Sequence, residues 1–264
     1  MKKILGLLIA AFVILMIPGK AQAQELTAGE IVEKANLASY YAGQDGLADV
    51  RMTIKDAQGR VRSRQFRIMR LTIEKGGEQK FYVYFNEPAD VAGTAYMVWK
   101  HPGRDDDRWL YLPALDLVRR IAAGDKRSSF VGSHFVYEDV SGRGIQDDTH
   151  ELTEATDTSY KLKNIPKDPK GVEFSYYYVW IDKANFMPTK AEYYNSKDQL
   201  MRTIEAVEIS DIQGYPTVVK SRVKDFERGG ETEMEFSHIR YDIGLTQDIF
   251  EERYLRKAPA QWIK

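Results

Sequence analysis

Four histidines, His101, His134, His150 and His238, are the side chains suited to proton transfer or metal ligation near neutral pH. None stands at metal-ligand spacing from another, and a lone histidine beside a strand is ordinarily structural. Asp105-Asp106-Asp107 offers oxygen ligands for a cation. Gly103 before it and Trp109 after it instead describe a solvated hairpin turn, and Asp147-Asp148 reads the same way. The 264 residues include no cysteine, which excludes disulfides, Cys-zinc sites, iron–sulfur clusters and thiol catalysis. No Gly-x-Ser-x-Gly elbow occurs. Gly142-x-Gly144 lacks the third glycine of a dinucleotide loop and lies between strands. The 39 acids offer carboxylate pairs of the kind that hydrolyse sugars, but spacing singles none out. The sequence therefore assigns no catalytic residue, no metal ligand and no cofactor.

Arg119, Arg120, Lys126 and Arg127 form a small basic patch beside the aromatics Phe130 and Phe135. As a functional feature it contacts a phosphate or an acidic partner; as a structural one it is solvated charge balancing local acids. The formal net charge of −1, without a long basic run, argues against nucleic acid as a partner.

The elements that position these residues follow from periodicity. Thr27-Ala28-Gly29-Glu30 has the form of a capping box, and Ile31, Val32, Ala35 and Ala38 follow at helical spacing. This predicts a helix from about Ala28 to Tyr40, ending near Gly43. The period then changes to two. Val50, Met52 and Ile54 alternate with charged or polar neighbours, as do Phe66 with Ile68 and Phe81 with Val83 and Phe85. Short strands are expected at 62–73, 96–99 and 108–112, and again at 160–165, 173–182, 189–195, 200–209, 217–226 and 231–241. Turn residues such as Asp56-Ala57-Gln58-Gly59 and Arg228-Gly229-Gly230 separate them, so the pattern is an antiparallel meander. The stretch from Leu112 to Val140 breaks the alternation. It is long, glycine-punctuated and mixes aromatics with charge, which marks a functional loop. Thr246 and Asp248-Ile249-Phe250, leading to Tyr254-Leu255, predict a short turn or helix that docks the tail.

The first residues read as an address. Lys2 and Lys3 precede an apolar run from Ile4 to Ile17, Pro18-Gly19 end it, and Ala21-Gln22-Ala23 follows. That is the plan of a secretory signal cleaved after Ala23, with an uncleaved anchor as the alternative. Removing residues 1–23 lowers Lys plus Arg from 38 to 35 against 39 acids, for a net charge of −4. The expected mature chain, 24–264, is a single domain in the periplasm, with no cysteine to carry a lipid anchor.

Three blocks carry a family resemblance. They are Phe85-Asn86-Glu87-Pro88 through Gly93-Thr94, then Trp109-Leu110-Tyr111-Leu112-Pro113-Ala114 with Arg119-Arg120-Ile121, and Phe130-Val131-Gly132-Ser133 with Phe135 and Tyr137-Glu138-Asp139. With these the mature chain resembles the bacterial outer membrane lipoprotein-sorting protein family, LolA/LolB-like in fold. One departure is His134, where members tend to carry an acid.

The resemblance implies a mainly β (α+β) fold: a curved antiparallel sheet forming an incomplete β-barrel, covered by the N-terminal helix and loops. It implies a non-enzymatic periplasmic carrier or chaperone. The apolar cavity would hold acyl chains of lipids or lipoproteins for transport toward the outer membrane. The implied partners are an RND/MMPL-type inner-membrane exporter and, transiently, a membrane. Candidate cavity residues are one face of each strand: Phe66, Ile68, Phe81, Val83, Phe85, Met97, Trp99, Leu110, Tyr176, Tyr178 and Trp180. The same residues serve equally as packed core. Arg119, Arg120, Lys126, Arg127, Phe130 and Phe135 are the candidate partner or headgroup contacts. Two other functions fit the residues: an envelope enzyme using an acidic pair, and a transporter scaffold that binds no lipid.

Overall fold

The computed structural model describes residues 25–263. The expected signal segment, 1–23, lies outside them. Helix α1 (Ala28–Tyr40) begins at the expected box: Glu30 N–H donates to Thr27 Oγ1 at 3.3 Å, and Thr27 N–H to Glu30 Oε2 at 2.8 Å. These bonds satisfy amides that the first turn leaves unpaired.

Thirteen antiparallel strands follow. They are β1 (Asp45–Asp56), β2 (Val61–Thr72), β3 (Gln79–Glu87), β4 (Ala95–Lys100), β5 (Asp107–Leu112), β6 (Leu117–Arg120), β7 (Asp148–Ala155), β8 (Ser159–Pro166), β9 (Tyr176–Asp182), β10 (Pro188–Tyr194), β11 (Leu200–Ile212), β12 (Tyr215–Asp225) and β13 (Gly230–Tyr241). Every strand expected from the alternation is present, and β6 and β7 go beyond it. One sheet holds them all, in the order β6-β5-β4-β3-β2-β1-β13-β12-β11-β10-β9-β8-β7. Two meanders therefore run outward from the β1–β13 pair. Their outermost strands, β6 and β7, are consecutive in the chain and do not pair, so the barrel is incomplete as expected.

Curvature follows from who meets whom. Eight ladder steps separate β3 from β8. In a flat sheet they would stand roughly 38 Å apart, at ~4.8 Å per strand. Yet Phe81 of β3 and Leu162 of β8 line one cavity. The sheet wraps around it.

The concave face is covered by α1 and by residues 121–147, the segment that joins β6 to β7. This is not the plain loop expected: it contains 3₁₀ turns and a short helix, α2 (Tyr137–Ser141). The convex face of β1–β5 is covered by the tail, with α3 (Arg253–Arg256) and α4 (Ala260–Ile263). Ile249, Phe250 and Leu255 pack there on Met69, Tyr82 and Met97. The buried Asp45 carboxylate fixes the tail's entry by accepting from the amides of Ile243, Gly244 and Leu245 at 2.8–2.9 Å. Strands covered on both faces must be apolar on both, which is why 96–99 shows no alternation.

The Asp105-Asp106-Asp107 turn is only partly the solvated feature expected. Asp105 is exposed, but Asp106 pairs with buried Arg108 at 2.6 Å and Asp107 accepts from His101 and Arg120. Asp106 and Asp107 are thus held by Arg108 and His101 around the β4–β5 hairpin and by Arg120 of β6.

Candidate functional site

The interior divides into a solid end and a hollow end. Under β2–β5 the concave face is filled. Phe130, from the segment 121–147, is 1% exposed and inserts between Phe85 at 5.8 Å, Tyr96 at 5.5 Å and Phe66 at 6.2 Å between ring centres. Phe135 and Tyr137 belong to the same cluster. Toward β8–β12 a cavity of about 500 Å3 remains. That is within the ~300–1,000 Å3 of small-molecule sites.

Apolar side chains from every surrounding element line it. α1 gives Val32 and Ala35; β2 and β3 give Phe66, Ile68, Phe81 and Val83; β8 and β9 give Leu162, Tyr177, Val179 and Ile181. Ile204, Val218 and Phe236 come from β11, β12 and β13, and Phe130 and Phe135 close the filled end. Ile31 and Ala35 fix α1 against Leu162 and Ile181.

Four of the eleven expected cavity residues thus face the hollow: Phe66, Ile68, Phe81 and Val83. Phe85 and Leu110 share their face but are packed in the solid end. Met97 and Trp99 lie on the opposite face. Strand parity puts Tyr96 and Val98 inside, and the tail covers Met97 and Trp99, with Trp99 Nε1 donating to Phe250 O at 2.8 Å. Tyr176, Tyr178 and Trp180 also face outward, because Tyr177, Val179 and Ile181 are the inward set. Lysines stack on them there, Lys161 Nζ at 4.5 Å from the Tyr178 ring and Lys163 Nζ at 4.4 Å from Tyr176. The run Tyr176–Ile181 is aromatic or aliphatic at every position, so alternation carried no signal about its faces.

The basic patch also divides. Arg119 and Arg120 are exposed on the short edge strand β6, Arg119 at 3.6 Å from Asp125 and Arg120 on Asp107. Charge on a short edge strand discourages pairing with other chains. Lys126 and Arg127 turn inward and meet Glu138 at 3.3 and 3.0 Å. Phe130 and Phe135 are core and cavity wall.

Glu138 anchors an ionic web that sequence reading missed, because its members come from distant elements. Arg127 also holds Glu173 with two bonds, at 2.6 and 3.0 Å, and its guanidinium lies 5.1 Å from the Phe174 ring. Arg143 reaches Glu138 at 3.4 Å and Asp148 at 2.8 Å. The Tyr177 hydroxyl donates to Asp148 at 2.7 Å, and Arg202 of β11 pairs with Asp139. Burial pushes the Glu138 carboxyl up, but Arg127, Arg143 and Lys126 bring it below its ordinary value. Burial, reinforced by Asp148, holds the Tyr177 hydroxyl well above its usual range. Charges this enclosed are costly unless fully paired, so the web ties the segment 121–147 to β7, β9 and β11 in one arrangement.

The histidines are each committed separately. His134 is buried, with its amide and Nδ1 on Thr232 Oγ1 at 3.0 and 2.8 Å. His101 lies between Glu78 and Asp107, His150 between Asn164 and Ile145 O, and His238 on Asp49. Among the described residues no group of three or more His, Asp or Glu is placed to hold a metal ion. No described helix is long and apolar enough to cross a membrane.

Comparison with known proteins follows this geometry. A family model described as an uncharacterized protein matches residues 77–257. A DUF1329 family protein from Desulfovibrio piger is similar at 32% identity and a TM-score of 0.78, over 86% of this chain and 98% of that one. A domain named for outer membrane lipoprotein sorting, from Vibrio parahaemolyticus, is similar at 31% identity and a TM-score of 0.78, over 87% and 98%. A LolA superfamily protein from Nitrosomonas europaea shares the fold at 21% identity and a TM-score of 0.67, over 87% and 100%. No curated protein matches.

Proposed function

This chain belongs to the DUF1329 family, and on that premise we propose that it is a periplasmic carrier whose cavity takes acyl chains of lipids or lipoproteins. The observation that carries the reading is the hollow of about 500 Å3, whose walls are mainly aliphatic and aromatic, with Arg127, Glu138, Arg143 and Asn164 among its polar lining. Each methylene moved from water into such walls gains about 0.8 kcal/mol, so a chain is retained without polar chemistry. The 31%-identical relative named for outer membrane lipoprotein sorting supports the same direction. An RND/MMPL-type exporter as a partner enters this proposal through the sequence resemblance alone.

Loading follows from the architecture. Between the ends of residues 121–147, where Ile121 N–H donates to Arg108 O and Asp147 O accepts from Lys167 N–H, the roof over the cavity, α1 and that segment, is held to the sheet by side chains. Its displacement would leave the strand ladders intact.

The test is native mass spectrometry of the protein prepared gently from its own host, followed by lipid extraction. A stoichiometric acyl ligand is expected. A clean ligand-free mass would defeat the proposal and favour a scaffold.

A further inference from the structure

Beside the apolar cavity lies a second, polar one of about 210 Å3. The two share a wall made of Asn36, Glu138, Gly142, Gly144 and Ile145. In that wall Gly142 packs on the Tyr40 ring, where a Cβ would fall 2.5 Å from Cζ. The polar cavity is lined by two cations that are almost completely buried, Lys100 at 6% exposure and Arg108 at 3%.

The protein leaves Arg108 only partly satisfied, and gives Lys100 one acceptor and one ring. Lys100 Nζ donates to Ser141 O at 2.5 Å and lies 5.0 Å from the Tyr40 ring centre, but no carboxylate pairs with it among the described residues. Arg108 gives one nitrogen to Asp106 at 2.6 Å, while its Nε and Nη1 are buried without a hydrogen-bond partner. The nearby Tyr96 hydroxyl donates to Tyr137 O at 3.3 Å and offers Arg108 only its oxygen lone pairs. Of the three acids in the lining of the cavity, Asp106 and Glu138 are already engaged, and Asp105 stands exposed at the rim. Asp106 also accepts from the His101 amide at 3.0 Å and Ser141 Oγ at 3.1 Å, and Glu138 serves Arg127, Arg143 and Lys126. Buried donors without acceptors are expensive, and buried charges more so. A ligand that supplies negative oxygens removes that cost.

We propose that this polar cavity binds an oxyanion of the phosphate or carboxylate class, with Lys100 and Arg108 as its ligands. The group is the headgroup of an amphiphile whose chain occupies the neighbouring apolar cavity, so this part rests on the carrier reading. Arg104 is exposed at the rim, 3.6 Å from Asp107 and beside Asp105.

The test uses the delipidated full mature chain and three probes in titration calorimetry: palmitoyl-lysophosphatidylglycerol, uncharged monopalmitoylglycerol and inorganic phosphate. The charged lipid is expected to bind at least tenfold more tightly than the uncharged one. Lys100→Met should erase that preference while leaving monopalmitoylglycerol binding unchanged. Lys100→Gln, which keeps a donor for Ser141 O, gives the same reading should the first variant fold poorly. Phosphate that binds alone, and is lost in Lys100→Met, supports the site and shows that free phosphate also fills it. Phosphate binding without either lipid leaves the oxyanion site standing and defeats the carrier reading. Equal affinity for both lipids, with no phosphate binding, overturns the site while the carrier reading survives.

Discussion

Arg143 grips Asp148 side-on, Nε to Oδ2 at 2.9 Å and Nη2 to Oδ1 at 2.8 Å, and so fixes where the roof of the cavity becomes strand β7. Asp148 is 2% exposed and also accepts from the Tyr177 hydroxyl on the cavity wall. Asp148→Asn therefore removes the charge partner of an enclosed guanidinium. We expect a loss of about 3–5 kcal/mol in urea unfolding, the range for breaking one side of a buried pair. A loss below about 1 kcal/mol would mean that the web does not hold the roof.

Ala206 lines the hollow end from the concave face of β11. Ala206→Phe places a ring in the empty space rather than in packed core. Binding of a fluorescent fatty-acid probe should fall at least tenfold, with the melting temperature little changed. Undiminished probe binding would place the chain elsewhere.

Phe130 stands between the filled end and the hollow. Phe130→Ala should cost about 3–5 kcal/mol, as large-to-small changes in cores do. It should also lengthen the cavity. A chain-length series of fatty acids would then show the affinity optimum moving to longer chains. An optimum that stays put would separate Phe130 from the binding space.

Burial holds the Lys100 ammonium down to about 8, with Asp106 opposing and Arg108 adding to the shift. In the unfolded chain the group titrates near 10.5. Between those values the unfolded state binds the extra proton, so stability rises with pH across the window and is flat below it. Relative to Lys100→Met, the wild-type chain should gain at most about 1.4 kcal/mol per pH unit there. Urea titrations of both proteins at pH 7, 8.5 and 9.5 check this; parallel curves would show that Lys100 is well solvated.

Local features were legible in the sequence. The Thr27–Glu30 box set the start of α1, and the alternation at 50–54 and 81–85 set strands and faces, because each signal lies within a few residues. The missed strands are both edges. β6 is four residues ending in two arginines, and β7 reads Asp-Thr-His-Glu-Leu-Thr-Glu-Ala. An edge strand needs little apolar content, so periodicity leaves it silent. Met97 and Trp99 were placed on the wrong side because β4 is covered on both faces, by the core and by the tail. The ionic web and the Lys100–Arg108 cavity were invisible for another reason. Their members are neighbours only after the segment 121–147 has crossed the sheet, and no spacing in the chain encodes that.

The missing pair between β6 and β7 has a mechanical consequence. A closed barrel has a girth set by its ladder, and widening it means tearing backbone hydrogen bonds. Here the circumference has a free seam. The 121–147 strap joins the two sides of that seam through the covered interior. The strap is held by side chains: the pairs Arg127–Glu173 and Arg202–Asp139, and the packing of Phe130, Phe135 and Tyr137. On the carrier proposal, a change of girth at this seam leaves every strand with its neighbours.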